Sequence, residues 1–152
     1  MFKKAVFVSA LTLLFAGCAS VPMSNKSLSD NAKQFNQPSQ GKSGVYIFRD
    51  SVLGGALKKD IWIDGNCIGE SAPKVFFFTE VDGDKEHTIS TESEFSPNAI
   101  NVLTKGGVNY FIRQYLKMGV FVGGANLEVV EPEKGKEVVQ NLQMAESGKC
   151  SK

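Results

Sequence analysis

From Gly44 onward, the apolar residues of this chain occur in short runs that glycine, aspartate and proline separate. Runs of this length, with β-branched or aromatic residues at alternate positions, are typical of strands rather than helices. The pattern therefore predicts an all-β fold with strands over 45–49, 60–63, 67–69, 75–81, 87–94, 100–103, 108–116 and 126–130.

The dipeptide Asp64-Gly65 marks the clearest turn, because it stands between two of these runs. Asp-Gly favours a two-residue type I′ turn, since both turn positions need positive φ. We expect Trp62 to share a face with Cys67 and to belong to the core rather than to a site. The turn predicts three cross-strand pairs: Ile63 with Asn66, Trp62 with Cys67, and Ile61 with Ile68.

Aromatic residues indicate which strands are central. Phe76, Phe77 and Phe78 form an apolar run without alternation, which predicts a strand covered on both faces. An exposed aromatic patch for a partner is the alternative. The strand at 108–116 places Tyr110 on one face and Phe111 on the other, so it should be central too. Together the strands predict a small antiparallel β-sandwich, prealbumin-like or immunoglobulin-like, over 44–131.

The segments on either side of 44–131 differ from it in composition. Residues 18–43 are rich in Ser, Asn, Lys, Gln and Pro, which predicts a flexible tether, in which Ser29-Asp30 could at most cap a short helix running to Phe35. Beyond Pro132 the apolar period changes, and Val138, Val139 and Leu142 fall on one helical face. We therefore expect 132–152 to form a short C-terminal helix, packed on the edge of the sandwich, and a tail. One more edge strand is the alternative to the helix.

The first 18 residues have the organisation of a bacterial lipoprotein signal. Lys3 and Lys4 precede an apolar stretch at 5–16, which is shorter than the roughly 20 residues that a membrane span needs. Small residues and Cys18 follow, in the order of a lipobox. We expect cleavage of a signal peptide at 1–17 and acylation of Cys18, and three acyl chains would make the membrane anchor permanent. An ordinary cleaved secretory signal is the alternative.

Two features of the expected mature chain bear on its location and partners. Ala19 follows the cysteine, where Asp would favour retention at the inner membrane, so we expect the outer membrane and a domain that faces the periplasm. The chain has 17 basic and 16 acidic residues, and loss of Lys3 and Lys4 leaves it with a small net negative charge. Since its basic residues are scattered among acids, we expect no nucleic-acid partner.

With Cys18 committed to lipid, Cys67 and Cys150 remain as a candidate disulfide in an oxidising compartment. The alternative is a buried Cys67, packed as a small hydrophobic residue, and a free Cys150 on a frayed tail. We expect no metal site at these thiols, because His87 is the only histidine and no further Cys or His lies near either one.

We expect no catalytic residues and no cofactor. His87 stands at the start of a predicted strand, where a structural role is expected. Asp82 with Asp84 and Glu92 with Glu94 have strand spacing, which could suit glycoside chemistry or calcium but is more typical of a solvated face. The Gly-Gly pairs lack the lysine and the strand-to-helix context of a phosphate loop.

Several motifs together resemble a known family. They are Val45-Tyr46-Ile47-Phe48-Arg49, Ile63-Asp64-Gly65 with Ile68-Gly69, His87-Thr88-Ile89, and Gly106-Gly107 before Tyr110-Phe111-Ile112-Arg113. The sequence over roughly 44–131 resembles the bacterial envelope proteins grouped as domain of unknown function 2846. It is more loosely similar to β-sandwich modules of the PEGA type. The resemblance implies a lipoprotein with a β-sandwich and no assigned activity, and it transfers no catalytic residues.

These observations predict a membrane-anchored envelope lipoprotein that is a non-enzymatic binding or structural module. Its partners would be the membrane, through the lipid anchor, and an envelope protein or glycan. The alternative is a carrier of a small apolar ligand, held in the sandwich core between strands that have aromatic residues on both faces. An enzyme is the third hypothesis and depends on the carboxylate pairs alone.

Overall fold

The computed structural model describes residues 19–152, which form two helices and nine strands in two sheets. The predicted signal peptide at 1–17 and Cys18 lie outside the described residues. Each of the eight predicted strands coincides with an observed one, which confirms the all-β, sandwich-like fold. In chain order the elements are α1 Lys26–Ala32, β1 Lys42–Arg49, β2 Lys59–Ile63, β3 Asn66–Ser71, β4 Val75–Asp82, β5 Glu86–Thr91, β6 Asn98–Leu103, β7 Asn109–Lys117, β8 Gly124–Val130, α2 Pro132–Gln140 and β9 Gln143–Met144.

The two sheets are mostly antiparallel. One contains five strands in the order β8-β7-β1-β4-β9, and the other contains four in the order β3-β2-β5-β6. Two neighbouring pairs are parallel, however: β1 with β7 and β4 with β9. Parallel neighbours need a long connection. Here the chain passes through the second sheet between β1 and β7, and through α2 before β9.

Apolar side chains from both sheets fill the space between them. Val45, Ile47 and Ile112 of the larger sheet pack with Ile61 and Ile89 of the smaller one, and all five are almost completely buried. Burial of a side chain of this size stabilises a fold by about 1.5–3 kcal/mol. This layer is therefore the main core of the sandwich.

A second apolar layer lies on the outer face of the five-stranded sheet, under the two helices. Tyr46, Phe76 and Phe111 project from the sheet into this layer and meet Val139 of α2. The helix lies so close that a Cβ on Gly135 would be 2.3 Å from Cγ of Phe111. The central strands β1, β4 and β7 are consequently covered on both faces.

The phenylalanine run at 76–78 divides between these two layers. Phe77 lies between the sheets, whereas Phe76 and the half-buried Phe78 lie under the helices. The run is thus covered on both faces, as its lack of alternation predicted, and does not form an exposed aromatic patch.

The segment before β1 is folded onto the sheet, which differs from the flexible tether predicted for 18–43. The side chain of Asn25 caps α1 by accepting a hydrogen bond from the Leu28 N–H at 2.9 Å. Phe35 then packs edge-on against Tyr46 and Phe111, with ring centroids 5.4 and 5.7 Å away. Phe35 therefore attaches this polar segment to the second apolar layer.

The Asp64-Gly65 turn has the predicted backbone conformation, with φ of 51° and 78° at its two positions. Trp62 pairs with Cys67 as predicted, but it is only half-buried and lies outside both apolar layers. Ile61 lies opposite Gly69 rather than Ile68, because the register shifts between Ile61 and Trp62. At the other end of the chain, α2 ends at Gln140 and is followed by the short β9. The C-terminal helix is thus confirmed, although it packs on the outer face of the five-stranded sheet rather than on the edge of the sandwich, and a short edge strand follows it.

Candidate functional site

A cleft of about 290 Å³ opens between the sheets at one end of the sandwich. This is the end where β1 and β5 begin, where β4 ends, and where the β2–β3 turn lies. Five charged side chains and one histidine line it: Lys42, Asp64, Glu80, Asp82, Lys85 and His87. We call this group the polar cleft.

The single histidine is buried in the wall of the polar cleft. His87 is 3% exposed, and its two ring nitrogens face two different acceptors. Nδ1 lies 2.6 Å from Oδ2 of Asp64, and Nε2 lies 2.8 Å from the carbonyl oxygen of Asp82. Both contacts are hydrogen bonds when both ring nitrogens carry protons. Both ring nitrogens are thus engaged by groups of the cleft wall itself.

Asp64 connects the β2–β3 turn to β5. One carboxylate oxygen accepts the His87 hydrogen bond, and the other accepts the Thr88 N–H at 2.9 Å. The hydrogen bond with His87 is the largest influence that lowers the pKa of the Asp64 carboxyl, and the Thr88 N–H lowers it further. Asp64 therefore carries a negative charge at the rim of the cleft.

Asp82 and Asp84, the first predicted carboxylate pair, have separate partners. Asp82 bonds to Lys42, with 2.6 Å between Oδ1 and Nζ, and this bond lowers the pKa of Asp82 and raises that of Lys42. Asp84 lies in a turn with φ of 56° and accepts the Gly106 N–H at 3.4 Å. The two carboxylates thus stabilise local structure separately.

Glu92 and Glu94, the second predicted pair, are also engaged with different elements. Glu92 accepts the backbone N–H of Asp60 at 3.1 Å and pairs with Lys152 at 2.8 Å. Glu94 accepts backbone N–H groups of the loop at 120–122. General acid–base chemistry needs a carboxylate within reach of a substrate proton, and these oxygens are held by the protein's own donors.

Cys67 and Cys150 form a disulfide, with sulfur atoms 2.02 Å apart. The bond attaches the C-terminal tail to β3, and the Glu70 N–H donates to the carbonyl of Lys149 beside it, at 2.8 Å. The tail is further fixed by the backbone N–H of Ser151, which donates to the buried Asp60 carboxylate at 2.8 Å. The structure therefore has the predicted Cys67–Cys150 disulfide and not a free Cys150 on a frayed tail.

The structure contains no candidate metal centre within residues 19–152, where no three His, Cys, Asp or Glu side chains are grouped to hold an ion. No helix in the same range is long and apolar enough to cross a membrane.

The aromatic residues on the outer face of the five-stranded sheet pack against one another. Tyr46 stacks on Phe111 with ring centroids 4.9 Å apart, and Phe35 closes the group from the N-terminal segment. The Tyr46 hydroxyl donates to the carbonyl of Ala32 at 2.8 Å. These rings fill the space between sheet and helices.

Sequence reasoning did not identify Lys42 and Lys85 as residues of the polar cleft. It also did not identify Gln114, which forms hydrogen bonds from one sheet to the other. Gln114 is fully buried, accepts a hydrogen bond from the Ser71 hydroxyl and donates to the Thr91 hydroxyl at 2.7 Å. Its only sequence signal is a glutamine that interrupts the apolar face of β7. The two lysines had no signal, because their proximity depends on the order of the strands in the sheets.

Comparison with known proteins places the chain in a family without giving it an activity. It is 54% identical over 150 residues to a protein of Haemophilus influenzae named only as uncharacterized, and the match covers 96% of this chain and 89% of that relative. No solved structure matches. A family model described as "Protein of unknown function (DUF2846)" matches residues 39–125, which is more than half of the chain. The chain therefore belongs to this family of proteins of unknown function.

Proposed function

We propose that this protein is a lipoprotein held on the periplasmic side of the bacterial outer membrane by acyl chains on Cys18. Its sandwich is a non-enzymatic module that binds or braces an envelope protein or glycan through the polar cleft. The observation that carries the proposal is the direction of β1, which begins at the cleft and ends at the loop where Ala19 is bound. The cleft and the expected anchor are thus at opposite ends of the sandwich.

The composition of the cleft supports a polar partner. Lys42 and Lys85 line the cleft together with Asp64, Glu80 and Asp82, so the open surface carries both donors and acceptors. Hydroxyls of a glycan and amides of a peptide are both recognised by such charged hydrogen-bonding groups.

The hydrogen-bond partners of the titratable groups support binding over catalysis. An activated nucleophile needs a neighbouring base that is itself oriented by a third group. His87 has both nitrogens engaged, and Glu92 and Glu94 accept hydrogen bonds from backbone donors. Replacement of Glu92 or Glu94 should therefore lower the stability of the fold and should not abolish a catalytic activity.

The test is mild crosslinking of the intact protein in native envelopes, followed by mass spectrometry of what is recovered with it. Lys85→Glu reverses an exposed charge in the cleft, and Lys134→Glu makes the same change on α2 as a matched control. We expect one defined protein or glycan to be recovered with the unaltered chain and with Lys134→Glu, and several-fold less of it with Lys85→Glu.

A Cys18→Ala variant tests the anchor in the same experiment. The mass of the N-terminal peptide should show three acyl chains on Cys18, and the alanine variant should leave the membrane fraction. Recovery of the partner at equal yield from both charge variants would argue against the cleft. An unmodified Cys18 would argue against the lipoprotein.

A further inference from the structure

Large apolar side chains are exposed at the end of the sandwich opposite the polar cleft. They lie on three loops, at 50–58 between β1 and β2, at 92–97 between β5 and β6, and at 118–123 between β7 and β8. Met118 is 90% exposed and Phe121 is 82% exposed. We call the following exposed residues the apolar tip: Val52, Leu53, Phe95, Met118, Val120, Phe121 and Val122.

The three loops form one continuous surface. Phe95 and Phe121 meet edge to face, with ring centroids 6.5 Å apart. Leu53 and Met118 line a shared groove of about 220 Å³. Contiguous exposed apolar surface of this kind marks a site of interaction with a protein or a membrane, whereas single exposed apolar residues do not.

Two charged residues, one buried and one half-buried, form hydrogen bonds with backbone groups of the apolar tip. The Glu94 carboxylate accepts the N–H groups of Val120, Phe121 and Val122. Arg49 is 1% exposed and donates to the carbonyl of Gly54 at 2.9 Å, among other carbonyls of the same loop. Backbone polar groups that enter a lipid environment must find partners within the protein, because water is scarce there. The N–H groups at 120–122 and the carbonyl of Gly54 have such partners within the protein.

The N-terminal end of the described chain lies on the same tip. The backbone N–H of Ala19 donates to the carbonyl of Gly55 at 2.7 Å, in the loop that carries Val52 and Leu53. Cys18 is the next residue toward the N-terminus, and consecutive Cα atoms are about 3.8 Å apart. The expected acyl chains therefore leave the protein at the apolar tip.

We infer that the apolar tip docks into the interfacial region of the bilayer that holds the acyl chains, and that the sandwich stands on the membrane with its polar cleft outward. The inference rests on the proposed function, since it takes the anchor at Cys18 as its starting point. Apolar groups at such an interface insert about 5–10 Å into the boundary between headgroups and acyl chains.

The position of the anchor favours a bilayer over a second copy of the chain or another protein as the occupant of the tip. Acyl chains that begin beside Gly55 hold the tip within reach of the lipid surface. The exposed Lys117 stands at the base of the 118–123 loop, where its ammonium suits a phospholipid phosphate.

The test uses the acylated mature protein, residues 18–152, in vesicles of phosphatidylethanolamine with a minor fraction of phosphatidylglycerol. Val120→Cys places one reactive thiol on the tip, because Cys67 and Cys150 are paired and Cys18 is acylated. Leu103→Cys is the matched control, since Leu103 is an equally exposed apolar residue at the end of β6 near the polar cleft. An environment-sensitive fluorophore is attached to each thiol, and quenching by nitroxide-labelled phospholipid is measured.

We expect the probe at 120 to shift to the blue and to be quenched several-fold more strongly than the probe at 103. Phe121→Asp should abolish that difference and leave the acyl mass and the circular dichroism spectrum unchanged. Equal, weak quenching at both positions with intact acylation would overturn the docking but not the anchor. Disulfide crosslinks between unlabelled Val120→Cys chains under mild oxidation, with no quenching of the labelled chains, would overturn it in favour of a second copy. An unacylated chain would overturn the proposed function as well.

Discussion

Arg49 shows how a single residue determines the shape of the apolar tip. It ends β1 with its side chain buried, and its guanidinium donates to the carbonyls of Leu57 at 2.7 Å and Gly54 at 2.9 Å. Burial lowers the pKa of this guanidinium. The carbonyl groups therefore replace water at the two terminal nitrogens, whereas the buried Nε has no hydrogen-bond partner among the described residues.

Arg49→Met should lower the free energy of unfolding by about 2–4 kcal/mol, because it removes charged hydrogen bonds and leaves buried carbonyls without donors. Arg113→Met on β7 is the matched control, since Arg113 is 35% exposed and pairs with Asp50 and Glu128. That variant should cost about 1 kcal/mol or less. Urea unfolding measures both, and equal losses would mean that Arg49 does not hold the loop.

Asp64 gives the stability of the fold a specific dependence on pH. Its pKa is lowered in the folded state by the His87 hydrogen bond. The contribution is therefore fully present above the ordinary aspartate pKa of about 3.9, and it is lost as the pH falls through the lowered value. Asp64→Asn should be less stable than the unaltered protein at about pH 7, and this difference should shrink below about pH 4.

Urea unfolding over this pH range tests the prediction for Asp64. Asp30→Asn, on the exposed face of α1, is the control, because Asp30 does not contact His87. A stability difference for Asp64→Asn that stays constant down to about pH 3 would contradict the linkage.

At the scale of elements, the strands could be predicted from the sequence because each is a local pattern. The turn at Asp64-Gly65 fixed the hairpin register up to the shift at Ile61. The parallel placement of β7 beside β1 and the packing of α1 could not be predicted, since both depend on contacts between residues far apart in the chain. Phe35 is a single apolar residue in a polar segment, so no periodic pattern in the sequence indicated that it packs on the sheet.

Phe35→Ala tests whether the N-terminal segment is part of the domain. We expect it to lower the free energy of unfolding by about 2 kcal/mol, because the half-buried ring leaves a cavity beside Tyr46 and Phe111. Leu28→Ala on the exposed face of α1 should change it by less than about 0.5 kcal/mol. Amide hydrogen exchange of α1 should accelerate only in Phe35→Ala; a free tether would exchange rapidly in both.

The disulfide attaches a second peripheral element, the C-terminal tail. Its cysteines are separated by 83 residues, for which loop closure in the unfolded chain is worth up to about 4.5 kcal/mol. The double variant Cys67→Ser with Cys150→Ser should lose part of this and expose the amides that pair the tail with β3. A thiol reductant should destabilise the unaltered protein and have no effect on the double variant. If the reductant also destabilised the double variant, its effect could not be assigned to the Cys67–Cys150 disulfide.

At the scale of the whole molecule, the sandwich is polar at one end and apolar at the other. The strands separate the polar cleft from the apolar tip, so a bilayer at the tip leaves the cleft free for a partner. The proposed anchor at Cys18 would therefore orient the sandwich with its polar cleft away from the membrane.

Thiol labelling in cells tests this orientation and the location together. A membrane-impermeant maleimide should label neither Lys85→Cys nor Val120→Cys in intact cells, because the outer membrane excludes it from the periplasm. After the outer membrane is permeabilised, the cleft position should be labelled several-fold faster than the tip position, and detergent should then make the two rates equal. Labelling of Lys85→Cys in intact cells would place the domain on the cell surface. Equal rates before detergent would mean that the tip is open to water, because a thiol within the lipid boundary is shielded from a polar reagent.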